Sequence, residues 1–514
     1  MFKRITVRYN SYYDSVTLMS LTQEIQKLPG IREALVGMAT DLNKESLKGM
    51  GFYTPEVEKA AATDLLIALG AESEEALYEA EELIEEKLSP RVRSRAAGQA
   101  EIYNSLEEAV LEGAGIAAIS VPGVYAAREA RKALEHGLHV FLFSDNVSLE
   151  EEVMVKKLAQ EKGLLVMGPD CGTAVIGGLG LGFANKVRAG HIGIVAAAGT
   201  GLQQVLTVID RLGEGVTHAI GTGGRDLRQE VGGITTSLAL EMLEQDENTK
   251  VKVVISKPPA PEVREKVVRA LEEGTKPAVV CFMGEMGGED RGKVKFAGSL
   301  EEAAVLACSI VSGKEGSLYY QEKDIEELAR ELTGGRPVRG YLRGLYCGGT
   351  LCDETLTFLA HKGIPVYSNV AWEPELLLKS PEESRAHSCL DLGDDYFTRG
   401  RPHPMLEPGL RVPRYLKEAQ DEEVAILLFD VVLGFGCHPD PAGVTAEAVR
   451  EAARIARQAG RQLIQIAVLV GTEGDPQGLR EQEKVLREAG ATVLYSNYAA
   501  AQLVARLIQG SLSG

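Results

Sequence analysis

Four times in this chain a short apolar run ends in a glycine-rich turn and leads straight into a helical stretch. The clearest case is GHIGIVAAAGTGLQQV, from Gly190 to Val205, which breaks at Gly199, Thr200 and Gly201. A strand that turns so abruptly into a helix aims unpaired helical N–H groups at whatever lies above the turn. Such a turn suits an anion, most often phosphate. GTGGRDL follows the strand THAI and supplies Gly221, Thr222, Gly223 and Gly224, with Arg225 as a planar cation. YCGGTLCDE places Gly348, Gly349 and Thr350 before another helix, and LGFGCHPDPAG places Gly434, Gly436, His438 and Asp440 after LLFDVV. Any one of these turns is as readily a tight bend under a packed helix as a ligand site. Four of them, each between a strand and a helix, favour ligands.

Two side chains add chemistry. Lys257 ends the buried-type strand VVISK before a rigid Pro-Pro, and reads either as a snorkelling strand end or as an anion clamp, the clamp being preferred. His438 reads equally as a capping histidine or as a catalyst beside Asp440. The acidic stretch at 72–87 is a solvated helical face.

The same grammar sets the domain plan. At 514 residues the chain exceeds one core, and about 150 residues per domain suggests three or four. Residues 1–90 carry the strands ITVRYN, IREALVGMA and DLLIALGA with two helices, which predicts a small α+β domain of ferredoxin-like type. The small, basic stretch at 91–99 reads as a linker. From 98 to 190, AGIAAISV, HVFLFSD and LLVMGPDCGT alternate with amphipathic helices, the pattern of a parallel sheet covered on both faces. A second α/β domain is expected over 191–315, with strands HIGIVAAA, THAIGTG, VKVVISK and PAVVCFMG. A third is expected over 337–514, with strands VRGYLRGLYCGG, PVYSNV, VAILLFDVV, RQLIQIAVLVG and ATVLYS. The fold class is therefore α/β, three successive α/β domains after a small α+β domain, with loops gathered at the carboxyl ends of strands.

Composition narrows the partners. A formal net charge of −19 disfavours nucleic acid and anionic membrane surfaces, while local backbone donors still permit small anionic substrates. The seven cysteines are scattered and lack zinc spacing, so no metal is expected, and no stretch reaches membrane-spanning length. A reduced, cytoplasmic protein is the expectation.

The order VPGVYAAREARKALEHGLHVFLFSDNVS, MGPDCGTA, AAAGTGLQQV, GTGGRDL and SKPPAPEV closely resembles the FdrA proteins, relatives of the succinyl-CoA synthetase α and β subunits joined in one chain. The resemblance runs from about residue 98 to the end. It implies a Rossmann-like CoA-binding-type domain followed by two flavodoxin-like, ligase-type domains, the first α-like and the last β-like. It further implies a subunit of oxamate carbamoyltransferase, which converts oxalurate and phosphate to oxamate and carbamoyl phosphate in purine and allantoin nitrogen catabolism, with other subunits and a homo- or hetero-oligomer. Arg225, His438 and Lys257 are the expected catalytic residues, Lys257 from its place at the strand end, and the glycine turns are expected to hold phosphate or carbamoyl phosphate.

Two departures separate the chain from acyl-CoA synthetases. The loop that carries their phosphorylated histidine corresponds to KVKFAGS, with Phe296 at the histidine's place, and no histidine lies between His218 and His361. The glutamate strand end that steadies it corresponds to ISKPP. The CoA-phosphate turn and an ATP-grasp domain are missing as well, so CoA is not expected as a cofactor. An ADP-forming acyl-CoA synthetase and a non-catalytic, metabolite-binding scaffold remain the competing readings.

Overall fold

The computed structural model describes residues 2–88, 105–398 and 401–510, apart from single positions 10, 12, 14, 62, 112, 335 and 337. The linker expected at 91–99 lies outside them. The chain divides into two compact units, one of residues 1–105 with 398–402, the other of 106–397 with 403–514.

The first unit runs β1 (Phe2–Arg8), α1 (Ser15–Gln26), β2 (Ile31–Met38), α2 (Asp41–Gly49), α3 (Pro55–Lys59), β3 (Leu65–Ala71) and α4 (Glu74–Leu88). Its antiparallel sheet has the order β1-β3-β2. The central strand LLIALGA is apolar throughout because both of its faces are covered. Leu65, Ile67 and Leu69 join Leu18, Ile25 and Ile84 from α1 and α4. Leu66 and Ala68 meet Leu47, Phe52 and Val57 on the opposite side.

The second unit opens with α5 (Leu106–Leu111), β4 (Ile116–Ile119), α6 (Gly123–Glu135), β5 (His139–Leu142), α7 (Leu149–Lys162) and β6 (Val166–Met167). The three strands are parallel in the order β4-β5-β6. A hairpin that the sequence pattern did not reveal follows, β7 (Thr173–Ile176) and β8 (Leu179–Gly182).

Next come β9 (Ala189–Ala197), α8 (Gly199–Arg211), β10 (Val216–Gly221), α9 (Ile234–Gln245), β11 (Val251–Ser256), α10 (Pro261–Glu273), β12 (Ala278–Phe282), β13 (Val294–Phe296) and α11 (Leu300–Ser312). The sheet order is β13-β12-β11-β9-β10-β7-β8, with the hairpin joined antiparallel to β10. After α12 (Glu322–Thr333) the chain forms β14 (Tyr341–Tyr346), α13 (Gly349–His361), β15 (Ser388–Asp391), the single turn α14 (Asp395–Thr398), and α15 (Val412–Gln420). It ends with β16 (Val424–Val432), α16 (Pro441–Gln458), β17 (Ile464–Val470), α17 (Leu479–Ala489), β18 (Thr492–Leu494) and α18 (Asn497–Gln509), giving the parallel order β15-β14-β16-β17-β18. PVYSNV forms no strand. Tyr367 makes only a bridge to Ser388, and the place beside β14 belongs to β15.

Setting the hairpin aside, both sheets follow the flavodoxin-like order 2-1-3-4-5, whose ligand crevice lies at the carboxyl ends of strands 1 and 3. Those ends are β9 and β11 in one sheet, β14 and β16 in the other. One apolar core runs from Ile194 and Val253 through Leu202, Val205 and Leu351 to Leu342 and Ile466, so the two sheets share their interior. Helix α8 lies inside it and is buried from Thr200 to Asp210, its polar Gln203, Gln204 and Asp210 included.

Several polar groups buried at this junction are hydrogen-bonded. Gln204 donates to Tyr495 O at 3.0 Å, and Asn497 donates to Glu354 Oε2 at 2.8 Å, while Glu354 Oε1 accepts from Leu300 N at 2.8 Å. Burial pushes the Glu354 carboxyl up to about 7, against these hydrogen bonds. The folded state therefore keeps a proton that the unfolded chain releases above about 4.5. Stability from this group is fully present below that value and falls as pH rises towards 7, by about 3 kcal/mol in all. Glu354→Gln should flatten the decline of melting temperature between pH 5 and 8. An unchanged decline would place its origin elsewhere.

Candidate functional site

Three strand ends, those of β9, β10 and β11, bring sequence-predicted residues together. Ala197 pairs with Ser256 and Ala196 with Gly221, so the Gly199 turn, Lys257 and the Gly221–Arg225 loop leave the same edge side by side. The first helical bond of α8 is Leu202 N to Ala198 O. The N–H groups of Gly199, Thr200 and Gly201 thus precede the helical ladder. Gly199 is exposed, and a Cβ there would meet nothing within 4 Å.

The turn before α13 sits directly opposite. A Cβ on Gly201 would lie 2.7 Å from Thr350 Cγ2, and one on Gly348 would lie 2.7 Å from Thr200 Cγ2. The N-termini of α8 and α13 therefore interlock, each turn using a glycine where the other presents a threonine. The two ends are not equivalent. Cys347 N and Gly348 N already donate to the buried Asp430 carboxylate at 2.7 and 2.8 Å, and Asp430 is itself paired with Arg411 at 3.1 Å. Asp391 Oδ2 sits against Gly349 where a Cβ would be. The α13 end is supplied with carboxylates by the protein itself, so the α8 end is the one open to a ligand.

Lys257 Nζ lies 2.8 Å from Asp353 Oδ2, on the first turns of α13, with the lysine side chain 38% exposed and the aspartate 1%. Burial draws the Lys257 pKa down, but Asp353 and Asp391 outweigh it and hold the ammonium above its ordinary value. It stays charged at neutral pH, which suits an anion clamp and excludes a general base. Burial pushes Asp391 up to about 7 and raises Asp353 as well, despite Lys257.

Arg225 is positioned by a buried network. Its Nε pairs with Glu152 Oε2 at 2.8 Å and one terminal nitrogen donates to Val147 O at 2.8 Å. Behind it the fully buried Lys156 donates to Glu152, Asp226 and Thr222 O, at 2.8, 2.8 and 2.9 Å. Asp226 caps α9 by accepting from Thr236 N at 2.9 Å. Gly221, Thr222 and Gly223 are buried against the 168–173 loop. Gly223 has φ +83°, and a Cβ there would lie 2.5 Å from Pro169 O. Gly224 and Arg225 are the members of GTGGRDL that reach solvent.

The Gly434–His438 loop takes another direction. Phe435 N donates to Ala184 O at 2.8 Å and Asn185 Nδ2 to Leu433 O at 2.9 Å, while Gln203 of α8 donates to the neighbouring Phe183 O at 2.6 Å. A strap at 183–186 thus stands between this loop and α8, and a Cβ on Gly436 would lie 2.9 Å from Gly182 O. His438 Nδ1 accepts from Asp440 N at 3.0 Å, and Asp440 caps α16. Its bonds tie it to its own loop, to Gln477 and to Met405. The structure gives His438 a capping arrangement within its own loop.

A histidine that the sequence reading passed over lies nearer. His403 stacks on Phe183 at 5.7 Å, and its Nε2 would lie 2.6 Å from a Cβ on Gly393, the residue whose N–H binds Asp391. Its Nδ1 accepts from Met405 N at 3.2 Å, and burial lowers its pKa to about 4. The ring is neutral with hydrogen on Nε2, so that nitrogen offers no lone pair for phosphoryl attack. Phe296, at the place expected for the phosphorylated histidine, is buried in β13 beneath the Arg264 guanidinium.

Comparison with known proteins gives the family. The uncharacterized protein YahF of Escherichia coli (strain K12) is 44% identical over 506 residues, 97% of each chain. The chain belongs to the YahF family. Family matches along it are the AllF heavy metal-associated domain at 1–103, the CoA binding domain at 187–284 and CoA-ligase at 345–507, which makes this a succinyl-CoA synthetase-like family of FdrA and AllF type. The succinate–CoA ligase (ADP-forming) subunit alpha 1 of Archaeoglobus fulgidus is 26% identical over 208 residues, 40% of this chain and 69% of that one. Among solved structures, the dinucleotide-forming acetyl-coenzyme A synthetase 1 of Ca. Korarchaeum cryptofilum aligns over 82% of this chain and 90% of its own, with 16% identity and a TM-score of 0.31. No helix among the described residues is long and apolar enough to cross a membrane.

Gly199→Asp tests the open helix end. A Cβ at Gly199 meets no neighbour, so the variant should fold like its parent, while its carboxylate would compete with an anion at the α8 terminus. Sulfate or phosphate should raise the parent's melting temperature by mass action and leave the variant's unmoved. Equal protection of both would remove this turn as the site.

Proposed function

We propose that this chain catalyses ligase-type transfer at a carbonyl group, making or breaking an acyl phosphate directly, without a phosphorylated enzyme. The observation that carries the reading is the α8 terminus, open between the permanently charged Lys257 and the fixed Arg225, with no histidine lone pair beside it. Backbone N–H groups and two cations hold phosphate against a carbonyl carbon and stabilise the oxyanion that forms on attack. No enzyme nucleophile is needed for that step.

Carbamoyl transfer is the form of this chemistry that the sequence resemblance implies, with phosphate and oxalurate as substrates and partner subunits completing the enzyme. The AllF description of residues 1–103 is in keeping with it. That segment holds neither cysteine nor histidine, so its residues do not fit a thiolate or imidazole metal site. CoA is likewise given no step. The CoA binding domain match at 187–284 spans β9, the glycine turn at Gly199 and α8, the same turn that this reading gives to phosphate.

A second reading, an ADP-forming acyl-CoA ligase, is favoured by the likeness to succinate–CoA ligase α subunits. The experiment that separates the readings has two arms. With its co-purified partners the chain should form carbamoyl phosphate from oxalurate and phosphate, and should take no acid-labile label from radiolabelled ATP. Labelled protein together with acyl-CoA formation would overturn the direct mechanism in favour of the ligase. Neither product would leave a metabolite-binding scaffold.

A further inference from the structure

Trp372 is the only tryptophan in the chain, and 44% of it reaches solvent. Its position is fixed from two sides. Ser368 N donates to Leu376 O at 3.0 Å and Leu378 N donates to Ser368 O at 2.9 Å, which closes the segment between them into a loop. Asn369 fastens that loop to the end of β15, donating to Asp391 O and accepting from Asp391 N, each at 3.0 Å. From there the indole reaches the sheet of β9 and β11. A Cβ on Gly284 would lie 2.8 Å from Trp372 Cζ3 and 3.4 Å from Pro258 Cγ, so the ring packs over Gly284 beside the residue that follows Lys257. Gly284, with φ +88°, supplies both the turn and the room for the ring.

Register sets this contact on the crevice. Ala197, Ser256 and Phe282 are neighbours in one row of the sheet. Gly199, Pro258 and Gly284 each come two residues after that row. With strands about 4.8 Å apart, the open α8 turn and the glycine under the indole are separated by two strand spacings, about 10 Å. A small molecule anchored by an anionic group at one end spans that distance.

We propose that Trp372 selects the substrate of this crevice, its indole lying against a flat, neutral carbonyl or amide group of a small molecule whose anionic end is held at the α8 terminus and Lys257. The role rests on the phosphate–carbonyl reading and supplies what that reading lacks, a way to tell a substrate from free phosphate. Backbone N–H groups and an ammonium hold charge and treat both alike. An indole carries no charge and prefers flat, polarisable groups. Glu373 and Glu375 beside it are exposed, which favours a neutral group over the ring rather than a second anionic one. An isolated exposed apolar side chain is ordinary on a protein surface. This one is held to the crevice through Asp391, whose carboxylate abuts Gly349, and through Pro258.

The lone tryptophan is its own reporter. The probes are phosphonoacetamide, a stable phosphonate with a flat amide, and methylphosphonate, the same charged group without it. Phosphonoacetamide should change Trp372 emission saturably and bind about three- to tenfold more tightly than methylphosphonate, the gain of one aromatic contact. In calorimetry Trp372→Leu should lose that gain and bind methylphosphonate as the parent does, while Trp372→Phe should keep most of it. Wild-type emission tests the contact independently of whether Trp372→Leu folds. Equal affinities for the two phosphonates in the wild-type chain, an amide preference that survives in Trp372→Leu, or saturable binding without an emission change would each overturn the proposal. Methylphosphonate binding with no amide preference would leave the anion site standing without this role. An amide-dependent emission change that persists in Gly199→Asp would support the indole contact and reject the α8 terminus as the anchor. A chain that binds neither phosphonate would overturn both.

Discussion

Two helix N-termini meet at the centre of the larger unit, and they can do so because each turn has a glycine where the other has a threonine. Gly201 faces Thr350 and Gly348 faces Thr200, at separations that admit no Cβ. Partial positive charges at both ends would repel across this contact if nothing neutralised them. The protein neutralises one end itself, with Asp430 on the Cys347 and Gly348 N–H groups and Asp391 against Gly349. The other end, at Gly199, is exposed, and a Cβ there would meet no atom within 4 Å. The rest of the unit follows from this contact. Helix α8 is buried because it lies between two sheets, and its Gln203 and Gln204 side chains donate to backbone carbonyls there.

The charge distribution narrows what chemistry the crevice supports. Lys257 is locked in its charged form by Asp353 and Asp391, and Arg225 is aimed by Glu152 from a network anchored on Lys156. These cations act by attraction and orientation. Burial leaves the Asp391 carboxyl titrating near neutrality. The crevice offers no imidazole lone pair, which sets it apart from a phosphohistidine relay on a related fold.

Much of this was legible in the sequence because buried parallel strands appear as continuous apolar runs. VKVVIS, VAILLFDVV and IQIAVLV announce β11, β16 and β17, and Lys257 stands out as a charge at the end of one of them. The hairpin TAVI and LGLG escaped notice because its strands are four residues long and half glycine on one side. PVYSNV looked more strand-like than SCLD, yet pairing beside β14 is decided by tertiary contact. The partner of the Gly199 turn could not be read locally. His438 follows two glycines as a catalytic loop would, but its imidazole serves the Asp440 N–H. Asp391 ends the four-residue strand β15 and His403 lies in the irregular segment after it, and neither carries a periodic signature. Asp430 did leave a signal, a carboxylate within a buried strand, which has to find donors nearby.

The central claim is that the open α8 terminus, flanked by Arg225 and Lys257, is where an anion binds. Selenate, a close mimic of phosphate with a strong anomalous signal, locates such a site directly in a crystal of the full chain. The account predicts an anomalous peak within hydrogen-bonding distance of the Gly199 and Thr200 N–H groups, with Lys257 or Arg225 reaching it. A well-diffracting crystal in which selenate binds elsewhere and leaves this turn empty would contradict it.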